Sequence, residues 1–272
     1  MPEPRMAAPF SAPRPRRIGL INGRGLAALY RREVHRFLKV AVQTVGAPVV
    51  MSLLFFAIFD FALGDAQTVG GIAFPGFLAP GLMMMAMVQN AFANTSSSLL
   101  TAKMQGNIVD MLMPPLSPLE LTLGYAAGGV TRGLVVGLAT GLALWCGTPL
   151  SIADGGVILL FAVLASAMLA LAGLVVGIAA EKFEQVSSVG NFLVIPLSFL
   201  SGTFYALDAL PAFWQTVAHF NPFFYAIDGF RSGFIGHADA DPALGAVVLA
   251  AVDVMLMALA WRLLARGYRL KA

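Results

Sequence analysis

Residues 196–231 read PLSFLSGTFYALDALPAFWQTVAHFNPFFYAIDGFR, a stretch that can neither cross a bilayer nor stand in water. An apolar helical pattern runs to about Phe199 and breaks at Ser201-Gly202-Thr203. Two short amphipathic pieces follow, each with a helix-start signal. Asp208 can cap the first, with Pro211 in its first turn, and Asn221 can cap the second, with Pro222 at the first helical position. Phe213, Trp214, Phe220, Phe223, Phe224, Tyr225 and Phe230 make the pieces too apolar for water, while their interruptions make them too short to span. A re-entrant or interfacial hairpin in one membrane face satisfies both limits; a loop packed on neighbouring helices is the competing reading.

The rest of the chain supplies the membrane. Of 272 residues 58% are hydrophobic and 11% charged, against about 25% charged in a soluble domain, and the mean hydropathy is +0.81. The single cysteine, Cys146, excludes an intrachain disulfide and a cysteine metal site, and reads as a small residue near a helix end. Residues 1–22 read as a disordered basic tail whose first part, MPEPRMAAPFSAPRPRR, is rich in Pro, Arg and Ala without periodicity. The first 39 residues are polar and basic and precede an apolar run long enough to span and stay, so a cleaved leader is not expected.

From Gly23 to Lys39 the pattern is helical. Leu26, Leu29, Tyr30, Val34, Phe37 and Leu38 fall on one side, flanked by Arg31, Arg32, Arg36 and Lys39, as in a basic amphipathic helix lying on anionic membrane lipid. Residues 40–272 then read as one transmembrane domain with six apolar segments, at about 40–63, 75–95, 120–146, 155–180, 187–206 and 243–264. At 1.5 Å per residue each covers a hydrocarbon core of about 30 Å. Nine of the 17 basic residues precede the first segment, and Arg262, Arg266, Arg269 and Lys271 close the last. The positive-inside rule therefore places both termini in the cytoplasm. The segment between spans five and six, with Asp208, Asp228, Asp239 and Asp241 against Arg231, then lies outside.

The cytoplasmic connection 96–119 carries a short amphipathic turn from Ile108 to Met113. It presents Ile108, Met111 and Leu112 on one face and Asp110 on another before Pro114-Pro115 stops it. Such a turn suits docking into another protein's groove, or it is a plain connection between spans. In the third span Gly124 and Gly128, then Gly129, Gly133, Gly137 and Gly141, recur at four-residue spacing, which lets helix backbones approach closely in lipid. Met83, Met84, Met85 and Met87 read as core packing, with an adaptable substrate surface as the second reading. Arg132 and Asp253 lie near the middles of spans three and six at matching depth, and Asp60 nearer the outer end of span one. A charge at mid-bilayer costs about 2.5–3.5 kcal/mol on insertion scales, so each should face protein or water, and Arg132 with Asp253 are expected to pair.

What is missing narrows the function. The lysines Lys39, Lys103, Lys182 and Lys271 follow Leu38, Ala102, Glu181 and Leu270, so no G-x-x-x-x-G-K-[ST] loop exists to hold ATP. His35, His219 and His237 are dispersed, and neither H-E-x-x-H nor G-x-S-x-G occurs. A membrane enzyme has little support. An ion-coupled secondary transporter would use Asp60, Arg132 and Asp253 as a proton relay, although internal repeats are not seen. A permease energised by a separate ATPase needs a cytoplasmic docking helix and no nucleotide site, and the sequence has both features.

Two motifs carry a resemblance that covers the chain from about residue 25 to its end. GNIVDMLMPPLSPLELTLGY (106–125) resembles the coupling-helix segment of type-2 ATP-binding-cassette (ABC) exporter permeases, and 196–231 resembles that family's signature. GYAAGGVTRGL (124–134) further resembles a bacterial subgroup of general or multidrug-type permeases. The resemblance implies an all-α protein of the bacterial cytoplasmic membrane, in which two permease chains, identical or different, each engage one separately encoded ATPase. Residues 23–39 would be an interface helix, and Gln105, Gly106 and the turn to Met113 a coupling helix. Residues 208–235 would form re-entrant outer helices bearing Phe213, Trp214, Asn221, Pro222, Tyr225 and Arg231. ATP and Mg would sit on the partner, with no catalytic residue, cofactor or metal on this chain and no nucleic-acid partner. Substrates across the family are amphipathic: drugs, lipids and lipid-linked glycans. Many relatives carry an acidic residue where Val109 stands here, with Asp110 the nearby acid.

Overall fold

The computed structural model describes residues 19, 21–63, 68–69, 71–109, 113–207 and 210–269. Residues 1–18 and 20 of the tail predicted over 1–22, the cap Asp208, the turn residues Asp110, Met111 and Leu112, and Lys271 lie outside them. Helix α1 (Gly23–Leu38) opens on Asn22, whose side chain accepts the Gly25 N–H. A π turn, Val42–Gly46, leads into α2 (Ala47–Leu63). Then come α3 (Phe74–Met104), α4 (Pro118–Trp145), α5 (Gly155–Ala179), α6 (Phe183–Val189) and, across a second π turn at Gly190–Val194, α7 (Ile195–Leu200). The short α8 (Ala212–His219) and α9 (Pro222–Ile235) precede α10 (Pro242–Ala265). Among the described residues six runs are long and apolar enough to cross a membrane: Val42–Ala62, α3, α4, α5, the Phe183–Leu200 run of α6 and α7, and α10. Among the described residues the one departure from helix and loop is a short antiparallel ribbon, Thr68–Val69 with Ile72–Ala73.

Helix α3 corrects the expected end of span two. Its 31 residues extend it to about 46 Å, nine residues past the predicted limit and through the polar run Asn94–Ser98. Those residues stay helical because their hydroxyls bond back to the ladder: Ser96 Oγ donates to the Phe92 carbonyl at 2.7 Å and Ser97 Oγ to that of Ala93 at 2.5 Å. The connection that follows spans only residues 105–117, and Ser117 with Glu120 closes it as a capping box on α4.

The core is the contact of α3, α4 and α5. The glycine stripe of α4 makes it possible: a Cβ on Gly129 would meet Ala170 of α5 at 2.6 Å, and one on Gly133 would meet Ser166 Oγ at 2.7 Å. Met83 and Met87 of α3 fill the space over Gly141 and Gly137, and with Met84 they are buried as predicted. The same stripe seats α1, with Leu29 over Gly124 and Glu33 over Gly128, and Tyr30 Oη lies 3.0 Å from Thr131 Oγ1. The apolar side of α1 is therefore spent on α4 while Arg31, Arg32 and Lys39 face outward. Contacts fix which helix ends gather. Asn22 N donates to Glu120 at the start of α4, Lys103 Nζ donates to Ile178 and Ala180 at the end of α5, and Arg269 Nη1 donates to Ala179. The first and last described segments thus share one end of the bundle.

Candidate functional site

Two of the six spans are hardly buried by their own chain. They are the least buried: 11% of the α2 window and of the α6–α7 window lies inside, against 17% for α10 and 78% for α3. Val50, Leu54 and Phe61 on α2 and Phe192 and Leu193 beside α6 face outward. Toward the end opposite the termini the two spans meet on Phe204, whose ring centroid lies 4.9 Å from Phe59, 5.0 Å from Phe199 and 6.1 Å from Phe55. Away from that cluster each span borders a cavity on α3. A cavity of about 310 Å³ opens between α2 and α3, and another of about 340 Å³ between α3 and α6. Gln89 lines both, joined by Gln43, Ser52 and Asn90 in the first and Ser97 and Asn191 in the second. The lining is otherwise mostly apolar, with these amides and hydroxyls set into it.

Behind it stands a charged network the sequence reading missed. Glu33 is fully buried on α1; its carboxylate accepts from Ser98 Oγ at 2.8 Å and pairs with Arg36 at 3.3 Å. Arg36 also reaches α3, donating to the Asn94 carbonyl at 2.6 Å and side-chain oxygen at 2.9 Å. One signal was present: Leu29, Glu33 and Phe37 recur every four residues, which places an acid in the middle of an apolar stripe.

The predicted intramembrane charges are not brought together. Arg132 and Asp253 do not pair: Arg132 Nη2 donates to Asn90 Oδ1 at 2.8 Å, and Asp253 Oδ1 is buried without a hydrogen-bond partner. Among the described residues the ion pairs are Arg36–Glu33 and Arg269–Glu181. Matching depth was not enough, because Arg132 points from α4 onto α3 while α10 packs chiefly on α5 and α9. Asp60 lies elsewhere again, lining a cavity of about 450 Å³ with Ile72, Gly147 and Thr148.

At the termini-bearing end the expected docking turn is also redrawn. Gln105 and Gly106 are exposed, and Gly106 takes a φ of +71° that turns the chain out of α3. Ile108, predicted to face a partner, is 3% exposed and packs with Leu29, Leu99 and Leu121. For Ile108 that cover is supplied by the chain's own helices. Among the described residues, Met104, Val109 and Met113 beside it are exposed apolar side chains.

At the other end, Asn221 caps α9 as predicted, accepting the Phe223 N–H at 3.1 Å with Pro222 next in sequence. Its amide donates to Leu197 O at 3.0 Å and Ser201 Oγ at 2.8 Å, which ties α9 to the end of α7. Arg231 donates to Gly202 O and stacks 3.7 Å above the Phe77 ring. Gly202 itself carries a φ of +76°, the break read at Ser201-Gly202-Thr203. With 14 residues α9 is about 21 Å long, too short to cross, yet Gly229 rests on Phe161, six residues into α5. Helix α8 starts after Pro211 with no side-chain cap, and Phe213 and Trp214 on it are exposed while Tyr225 on α9 is half-buried.

Residues 24–235 match the ABC-2 type transporter family. The chain is 38% identical over 249 residues to the inner membrane transport permease YadH of Escherichia coli strain K12, an alignment covering 91% of this chain and 97% of that one. It is 27% identical over 219 residues to nodulation protein J of Rhizobium leguminosarum bv. trifolii, covering 79% and 82% of the two chains. Nodulation protein J of Neorhizobium galegae is 26% identical over 235 residues, with 83% and 86% covered. Six membrane-crossing helices and a family match over most of the chain lead to one assignment: it belongs to the ABC-2 type transporter family, as a multi-pass permease subunit of the inner membrane.

Proposed function

We propose that this chain is the membrane half of an ATP-driven exporter that moves an amphipathic, lipid-like substrate out of the cell. Energy comes from two copies of a separate ATPase that carry ATP and Mg, docked at the termini-bearing end, which faces the cytoplasm. The observation that carries the reading is the pairing of a family match with a half-open bundle. A permease whose α2 and α6–α7 leave apolar faces uncovered around a groove set with amides and hydroxyls is built to be completed by a second permease chain. The exposed Met104, Val109 and Met113 suit the docking of a partner, with Gln105 and Gly106 beside them. The sunken α9 and the exposed aromatics of α8 suit re-entrant outer helices over the exit. The dispersal of Asp60, Arg132 and Asp253 gives no relay on which an ion-coupled transporter could run.

The test is transport of a fluorescent amphiphile into inside-out vesicles holding this chain with and without its co-expressed ATPase. Uptake should require ATP and the ATPase and survive a protonophore. Uptake driven by a proton gradient alone would overturn the reading. Glu in place of both Met104 and Met113 should abolish co-purification of the ATPase while the chain still inserts.

A further inference from the structure

The groove floored by α3 holds an imbalance of charge and of hydrogen bonds. Arg132 and Arg36 grip Asn90 and Asn94, one turn apart and about 6 Å along α3. Each guanidinium stands one side chain behind the groove wall: Arg132 behind Asn90, which lines the α2 side, and Arg36 behind Ser97, which lines the α6 side. The carboxylate bonded into this network is Glu33, and it is committed to Arg36 and Ser98. Arg132 is 9% exposed with the neutral Asn90 as its hydrogen-bond partner, and no carboxylate pairs with it among the described residues. Around this network Gln89 Nε2, Asn94 Nδ2 and Arg132 Nε are buried without partners, and all three are donors; Gln89 lines both cavities, and the unpartnered acceptor Asp253 Oδ1 lies apart on α10. Buried donors and an unpaired cation around a cavity call for an acceptor that carries negative charge.

We propose that this groove binds the anionic head, a phosphate or carboxylate, of an amphipathic substrate, with Gln89 donating to it and Arg132 and Arg36 drawing it in. The apolar tail would lie along the wall at Met51, Phe55 and Met85. The charge lies in the half of α3 nearer the termini. The proposal rests on the permease reading for its meaning, and it sharpens that reading by naming the sign of the substrate's charge.

The probe is radiolabelled dodecyl phosphate, titrated onto the purified full-length chain in dodecyl maltoside, with no ATPase present. Saturable binding is expected that dodecyltrimethylammonium and inorganic phosphate fail to displace. Arg132→Gln should weaken it about tenfold or more by removing a charge-assisted contact, and Gln89→Leu about threefold to tenfold by removing the donor at the wall. Gln89→Leu keeps both cations in place, so it decides the matter even where Arg132→Gln fails to fold. Unchanged affinity in Gln89→Leu, or equal competition by the cationic amphiphile, overturns the proposal. A second titration in phosphatidylglycerol nanodiscs separates the sources of the head group. Binding that persists there supports a transported amphiphile, whereas displacement by the bilayer assigns the site to resident lipid and overturns the substrate claim. Failure here leaves ATP-dependent transport untouched, and failure of co-purification leaves this binding untouched.

Discussion

The two sides of this bundle obey opposite rules. On one side α3, α4 and α5 are packed until backbones touch: Gly129, Gly133 and Gly173 sit where a side chain would collide, and Phe161 is 1% exposed beneath Gly229. On the other side α2 and the α6–α7 span carry bulky apolar residues that touch little of their own chain, Phe61 at 90% exposure and Phe192 at 83%. In lipid no hydrophobic force presses helices together, so packing of small residues is what fixes a helix in place. The glycine-bearing side is therefore the frame. The bare side touches that frame along one edge, through Phe56 and Val194, is joined by the aromatic cluster at Phe204, and turns its remaining faces outward.

That contrast can be broken by four substitutions, each read by unfolding of the purified chain in detergent. Phe161→Ala should cost most, about 3–5 kcal/mol, since the ring fills the space under Gly229 and Gly245. Glu33→Gln comes next at about 2–3 kcal/mol, because Arg36 and Ser98 lose a charged acceptor, although Arg36 keeps a third of its exposure and can turn to water. Gly173→Ala should cost about 1–3 kcal/mol, because its methyl group would run into the Phe92 carbonyl and Thr95 Oγ1 on α3. Phe192→Ala on the bare side should change stability by less than about 0.5 kcal/mol while lowering transport if that face meets a second chain. A loss at Phe192 as large as that at Phe161 would show that both sides are frame, and the comparison would fail.

Much of this was legible before any coordinates. Runs of apolar residues and the Asn221-Pro222 cap located all six spans and α9, and the four-residue glycine period announced the α4 seam. The errors have one physical origin: composition reports what a helix is made of and is silent on which way each face turns. The run Asn94–Ser98 looked like the end of a span because it is polar, yet serine hydroxyls can satisfy the helix's own carbonyls and continue it. Ile108 was readable as apolar, but the same turn could be covered by a partner or by Leu29 and Leu121. Arg132 and Asp253 matched in depth and differed in direction, a rotation that spacing along one helix does not fix. Glu33 could have been found from its place between Leu29 and Phe37, had the stripe been tested for an intruding charge.

The π turns deserve a consequence of their own, because they occur in the two bare spans and nowhere else among the described residues. A π turn holds one residue more than the turn it replaces, a small slack in the winding. Passing that slack one residue along the helix swaps a single backbone bond and swings the side chain it passes by about 100°. Val42–Gly46 opens its span at the end where the chain begins, and Gly190–Val194 sits in the middle of the Phe183–Leu200 run. A tug there could travel upward as a twist, turning the residues that face the groove without melting either helix.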